Sequence, residues 1–556
     1  MNHKIPALFL LALCLWFPAK ASADEIRDLR PATLKANYDD LEGLALYANP
    51  RDGSLGRDLW DNTQRSVITE LLPNIPPPGS SPTQQKMVMG ALLTVANPGL
   101  IQDDIRIEPG KDILTLRLKR LNQIGAYKQA FQIYSALGIE PYTLDLAEAG
   151  IKAMLFNGER SLACLEYKTI EDRDFQSEFW TNITDYCRYV LAGANKEAEQ
   201  QARDALADSP LPTLRNIAQK SSYKVSYTPN TFKKISELER AVLIAEDRVN
   251  WPQLSTTYLK NMPLNHLGIL VAKQNLNNNE RFMVLARGAN RGLVSQSMLT
   301  EFYTRIYDED LRHKDSAANL GWKTIPYAYY KLQKTRDDQE QWQHILSTYP
   351  YAKTYGYAAL SPFTNVMQTL DISGKTPNQI RDSLRIINYA GENVPARWVK
   401  YFSTLKNSSN FNRSLYFLAK IWEEKTPAEM EQDPVIQQFL SEHEKTLKLK
   451  YFNIIENLDK SDENIHNADE IYVNGFDLTF RDGYVMPMPR VWDRLVNSSQ
   501  NKRIGEAVLL STAMLRKQDL GNHYPVVVGD VLQTLNNVGL TKTSKNIVLE
   551  LVLDQL

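Results

Sequence analysis

The sequence predicts a mainly α-helical protein, an α-solenoid in which helix pairs stack into a superhelix, with one small β-hairpin toward the C-terminal third. Apolar residues recur at a spacing of three and four along much of the 556 residues, the period of a helix with one buried face. A pattern of small and aromatic residues returns at 33 to 35 residues between Ile113 and Leu206, which is the length of a two-helix unit. Only residues 471–485 are dense in strand formers.

The chain carries 43% hydrophobic and 23% charged residues, enough to bury several cores, which excludes a disordered or fibrous protein. At its start, Lys4 precedes the apolar run Ala7 to Phe17, then Pro18 and Ala21-Ser22-Ala23. This reads as a secretory signal, residues 1–23, with cleavage after Ala23. The apolar run is too short to span a bilayer, so no transmembrane anchor is expected after cleavage, and the mature chain is expected in the periplasm. Losing Lys4 and Lys20 leaves 62 basic against 65 acidic side chains, a balance that argues against a nucleic-acid partner.

In the repeat, Gly125, Ala130 and Tyr134 return as Gly158, Ala163 and Tyr167, and again as Gly193, Ala198 and Ala202. Glycine stops one helix and permits the turn, and the small alanine lets the next helix approach. Gly125 to Ala130, followed by Tyr134, Leu137 and Pro141, resembles the second helix of a tetratricopeptide repeat, with Ile113 to Ile124 as its first. Such pairs cannot bury both faces alone and stack into arrays.

Other helices are predicted at Leu59 to Leu72, Thr83 to Ala96, Ser236 to Ala245, Gln379 to Tyr389, Phe411 to Glu424 and Lys545 to Leu553. The domain reading is an N-terminal helical segment, 24–110, with a proline-rich linker at 73–82; tetratricopeptide-like repeats, 111–260; a central helical region, 261–410; and a C-terminal helical region, 411–556. The last contains the hairpin, signalled by Asn474-Gly475 and Asp482-Gly483.

Two cysteines remain after cleavage, Cys164 and Cys187. An even number in an oxidising compartment favours a disulfide, with two buried thiols as the alternative. Placed on the second helix of one repeat and the first of the next, which pack antiparallel, they come within bridging reach.

Several stretches together resemble a group of exported, mostly helical proteins of Gram-negative bacteria, chiefly alphaproteobacterial. They are Leu59-Trp60 leading to Leu71-Leu72-Pro73, Leu116-Arg117, Ala163-Cys164, Tyr186-Cys187 with Ala192-Gly193, Asp477-Leu478-Thr479, Tyr484 to Pro487, and Gly505 to Leu510. The resemblance implies a periplasmic helical protein with a paired-cysteine segment, and it brings no activity with it.

Signals for catalysis are sparse. His266, His313, His344, His443, His466 and His523 are scattered, without the three-to-five spacing of a helical zinc site; after His443-Glu444, Leu447 stands where a zinc protease needs its second histidine. Ser221 to Lys224 and Ser403 to Lys406 fit Ser-x-x-Lys, with Ser408 to Asn410 and Lys542 to Ser544 imitating its companions. Those enzymes need an extended sheet that this chain does not offer. Gly374-Lys375-Thr376 lacks the first glycine of a phosphate loop and runs into Pro377. Asp308-Glu309-Asp310 reads as loop charge. The seven clustered tyrosines, Tyr327, Tyr329, Tyr330, Tyr349, Tyr351, Tyr355 and Tyr357, suit either core packing or a binding surface for peptide or glycan.

The expectation is a non-enzymatic periplasmic α-solenoid that scaffolds or binds cell-envelope proteins or peptides, without catalytic, cofactor or metal residues. Its rivals are an envelope glycan-binding protein or hydrolase with a dispersed site, and a periplasmic chaperone.

Overall fold

Local punctuation decides where the helices start and stop. Before the predicted helix 113–124, the Asp112 carboxylate accepts a hydrogen bond from the Thr115 amide at 2.8 Å. Gly125 closes the helix at φ +84°, a conformation that side-chain-bearing residues resist. The structure, a computed structural model, describes residues 41–442, 469–515 and 525–553, apart from 80, 139, 174–176, 194, 221, 274, 313, 315–319, 407–408, 426–428, 431, 474–475, 482–483 and 488.

Among the described residues the protein is mainly helical. Helices α1 (Arg65–Leu71) and α2 (Pro82–Leu93) precede three helix pairs: α3 (Ile113–Ile124) with α4 (Tyr127–Ser135), α5 (Leu144–Phe156) with α6 (Arg160–Thr169), and α7 (Glu178–Leu191) with α8 (Lys196–Ala207). The repeat glycines lie between the members of each pair, with φ +84°, +83° and +62° at Gly125, Gly158 and Gly193. Ala130 and Ala163 are fully buried, whereas Ala198 of the third copy is half-buried.

The chain continues through α9 (Pro212–Gln219), β1 (Val225–Ser226), α10 (Pro229–Lys234), α11 (Glu237–Ala245), β2 (Val249–Asn250), α12 (Thr256–Lys260), α13 (Leu264–Ala272) and α14 (Asn278–Ala289). Two-residue strands β1 and β2 pair in parallel, too short a feature to leave a sequence signal. Helix α13 returns to pack on α3 and α4, and α11 on α5. At the first crossing, a Cβ on Gly268 would lie 1.9 Å from the Gly125 carbonyl oxygen, so only glycine admits this approach.

Next come α15 (Gln296–Ile306), α16 (Thr324–Lys334), α17 (Asp338–Tyr355), α18 (Thr364–Met367), α19 (Pro377–Ala390), α20 (Ala396–Phe402), α21 (Asn410–Trp422) and α22 (Pro434–Glu442). Strands β3 (Asp469–Val473), β4 (Phe476–Arg481) and β5 (Tyr484–Pro487) precede α23 (Pro489–Gln500), α24 (Ile504–Met514), α25 (Pro525–Asn537) and α26 (Thr541–Leu553). The expected hairpin is one strand larger. In this antiparallel meander Val473 pairs with Phe476 and Arg481 with Tyr484, and the turn residues expected at Asn474-Gly475 and Asp482-Gly483 lie outside the described residues.

The far ends of the sequence meet. Helix α24 packs on α1 and α2, and α26 packs on α2, α19 and α21. The Gly505 amide donates to Leu59 O at 2.7 Å, and the buried Glu550 carboxylate accepts from the Thr83 amide at 2.7 Å. This closure corrects the helix expected at 59–72, which begins only at Arg65. Leu59 and Trp60 are buried in a turn whose carbonyl is committed to Gly505, and Asn62 has φ +57°. The helix expected to reach Ala96 stops at Leu93, whose carbonyl accepts from the amides of Leu46 and Tyr47.

One buried acid in this closing layer carries a pH prediction. Asp530 on α25 accepts a hydrogen bond from the Trp492 indole on α23, yet burial pushes its carboxyl up to about 6. A raised native pKa favours folding below the unfolded value, and that advantage is lost as pH rises through about 6. Asp530→Asn, which keeps an oxygen acceptor, is expected to stabilise the protein by about 2 kcal/mol at pH 8 and by well under 1 kcal/mol near pH 4, measured by urea unfolding.

Candidate functional site

A cleft of about 260 Å³ opens where the α5–α6 turn faces the end of α11, β2 and α13. Its rim is set by two tight backbone features. Gly158 holds φ +83° between α5 and α6, and Asp247 holds φ +50° between α11 and β2. Asn157 fixes the first turn by donating its amide to Tyr127 O at 2.9 Å and Ala153 O at 2.7 Å.

Leu243, Val249 and Ile269 supply apolar lining and Trp251 an indole. Both signs of charge are present, since Lys273 Nζ on the α13 side meets Asp247 Oδ1 at 2.6 Å. Behind the wall, Trp251 stacks on Tyr227 at 4.5 Å between ring centroids. The Tyr227 hydroxyl lies 2.7 Å from His266 Nδ1. Burial raises the tyrosine pKa and pushes the histidine down to about 4. Tyr227 is therefore the donor and His266 a neutral acceptor through Nδ1. This pair is a rigid support for the indole.

Cys164 on α6 and Cys187 on α7 sit at disulfide distance, with Cα atoms 5.0 Å apart and both side chains fully buried. They are also coupled to the cleft. Arg160, near the start of α6, pairs with Glu246 at 2.9 Å, and Tyr186, beside Cys187, donates to the other Glu246 oxygen at 2.9 Å. Burial, then the Glu246 charge, raises the Tyr186 pKa, so its proton stays on the hydroxyl. Glu246 immediately precedes Asp247, so the cysteine-linked helices hold one wall of the cleft.

The seven tyrosines are drawn into several packing sites. Tyr327 and Tyr349 are buried, and the Tyr349 hydroxyl is 2.6 Å from Ser383 Oγ. Tyr330 stacks on Tyr307 at 3.5 Å, Tyr329 meets Tyr303 and Phe363, and Tyr357 donates to Asp382 at 2.6 Å. Tyr351 is half-buried against the core. Tyr355 packs its edge on Phe282 and lines a second, smaller cleft.

Other sequence signals have local explanations. Thr376 of Gly374-Lys375-Thr376 caps α19 through a capping box with Gln379, while Lys375 lies over the Trp342 ring. Ser403 donates to Glu423. Asp308, Glu309 and Asp310 pair with Arg312, Arg305 and Lys323. The leader at 1–23, Ser221, Ser408, His313, His443, His466 and His523 lie outside the described residues. Among the described residues no group of three or more His, Cys, Asp or Glu is placed to hold a metal, and no helix is long and apolar enough to cross a membrane.

Fold and cleft together define a class: a mainly helical protein with a charged, indole-bearing cleft beside a linked helix pair. Compared with family models, curated proteins and solved structures, the chain has no match.

Proposed function

We propose that the protein is a non-enzymatic scaffold of the cell envelope, exported to the periplasm by its leader, whose tetratricopeptide-like segment, 111–260, forms a solenoid that binds a protein partner as an extended peptide. The observation that supports this reading is the cleft at Asn157, Asp247, Trp251 and Lys273. Its apolar lining and indole suit a side-chain anchor. The Lys273–Asp247 pair, with Asp247 well exposed, offers both charges to a peptide backbone or polar side chain.

A glycan is the second reading, because an indole held by Tyr227 is also a stacking surface for a sugar. Crosslinking the tagged protein in living cells, followed by mass spectrometry, separates the two. A stoichiometric protein neighbour is expected, and recovery of glycan alone or of no stable neighbour contradicts the proposal. The export step has its own check: N-terminal sequencing of the cellular protein is expected to start at Asp24, and an intact Met1 contradicts it.

A further inference from the structure

The second cleft, of about 170 Å³, lies between α12, α14 and the end of α17, and Lys260, Arg287 and Lys353 all line it. Each cation stands in the last turn of its own helix. A basic residue there complements the helix dipole, but that role requires no convergence of three helix ends on one small space.

The negative charge available is small. Among the described residues Lys260 and Arg287 form no ion pair with a carboxylate, and Arg287 spends one Nη2 bond, 3.0 Å, on the Lys260 carbonyl. Lys353 has Asp382 at 3.6 Å, but the same carboxylate accepts from Tyr357 at 2.6 Å and faces Arg385 at 3.9 Å. Arg291 adds positive charge one turn beyond Arg287; burial first, and Arg291 second, push the Arg287 pKa down.

The cleft is also held in shape. The Asn290 side-chain amide donates to Tyr355 O at 3.0 Å. Gly356 has φ +104°, and a Cβ there would lie 1.9 Å from the Asn290 side chain, so the turn carrying Lys353 and Tyr355 is locked against α14.

We infer that this cleft binds a phosphate group, of the kind carried by a phosphate monoester. A planar fork with two ammonium groups surrounds a compact dianion, whereas a carboxylate would satisfy the fork alone. Charge excess confined to a small cleft, in a chain of formal net charge −1, concentrates anions there.

The test uses the full mature chain. Inorganic phosphate and glycerol phosphate are titrated by calorimetry at constant ionic strength with chloride as the balancing ion. Saturable binding is expected, weakened at least about tenfold in the double variant Lys260→Ala, Lys353→Ala. Both lysines are exposed, so circular dichroism should be unchanged, and Lys196→Ala, distant on α8, should bind as the parent does. Sedimentation with phosphatidic-acid vesicles, but not with phosphatidylcholine vesicles, would place the phosphate on a lipid if the same two lysines are needed. Binding of glycerol phosphate without such sedimentation would place it on a soluble ester. Absence of saturable phosphate binding, or an affinity unchanged in the double variant, overturns the inference.

Discussion

Glu42→Ala is expected to destabilise the protein by about 3–5 kcal/mol, the usual loss when one partner of a buried ion pair is removed. Glu42 and Arg65 form a two-pronged pair with both bonds at 2.9 Å, and their side chains are only 4% and 3% exposed. The same carboxylate accepts the Ile113 amide at 2.9 Å at the start of α3. Removing it leaves the buried guanidinium only the solvent-exposed Asp103 carboxylate, which its Nε also meets, and leaves a helix-terminal amide without this acceptor.

Arg117, fully buried one turn into α3, gives the contrast. It donates to Leu44 O at 2.7 Å, but among the described residues its Nε and Nη2 have no partner, and burial, offset by Glu42, pushes its pKa down to about 10. Arg117→Met, similar in volume and free of desolvation, is expected to be neutral or stabilising by about 1 kcal/mol. Chemical denaturation of both variants at pH 7 checks the pair; equal losses would show that packing volume, not charge, governs this layer.

The second large effect belongs to the cysteines. Cys164→Ala in oxidised protein is expected to cost about 3 kcal/mol, because a crosslink across 23 residues of sequence restricts the unfolded chain. Thiol labelling of denatured, unreduced protein should find neither Cys164 nor Cys187 free. Full labelling, or an unchanged unfolding midpoint on reduction, contradicts the link. Since Arg160 and Tyr186 reach Glu246 from the two joined helices, reduction should also weaken binding at the main cleft.

The sequence made the helices legible where the signal is local. Asp112 and Gly125 bound α3 with caps that lie within a few residues of the helix, and the repeat glycines take the left-handed backbone their positions imply. The cysteines were legible because α6 and α7 are consecutive helices. Leu59 misled because its turn is fixed by Gly505, a partner from the other end of the chain. The cleft left no signal for a similar reason: Asn157 is far in sequence from Asp247, Trp251 and Lys273, and all four are ordinary in type. They become a site only when α13 folds back on α3 and α4. Gly268 is a helical glycine whose missing side chain admits the close crossing with Gly125. The tyrosines drew attention by density, but density does not choose a face, and the hydroxyls of Tyr349 and Tyr357 meet Ser383 and Asp382.

The most direct measurement places a photoreactive amino acid at Asn275, on the lining of the main cleft, and irradiates living cells. One protein adduct of defined mass is expected, strongly reduced when Asp247→Ala and Lys273→Ala are combined and absent when the probe stands at exposed Lys196 on α8. Equal adducts from both probe positions, or none from Asn275, would contradict a partner-binding role for this cleft.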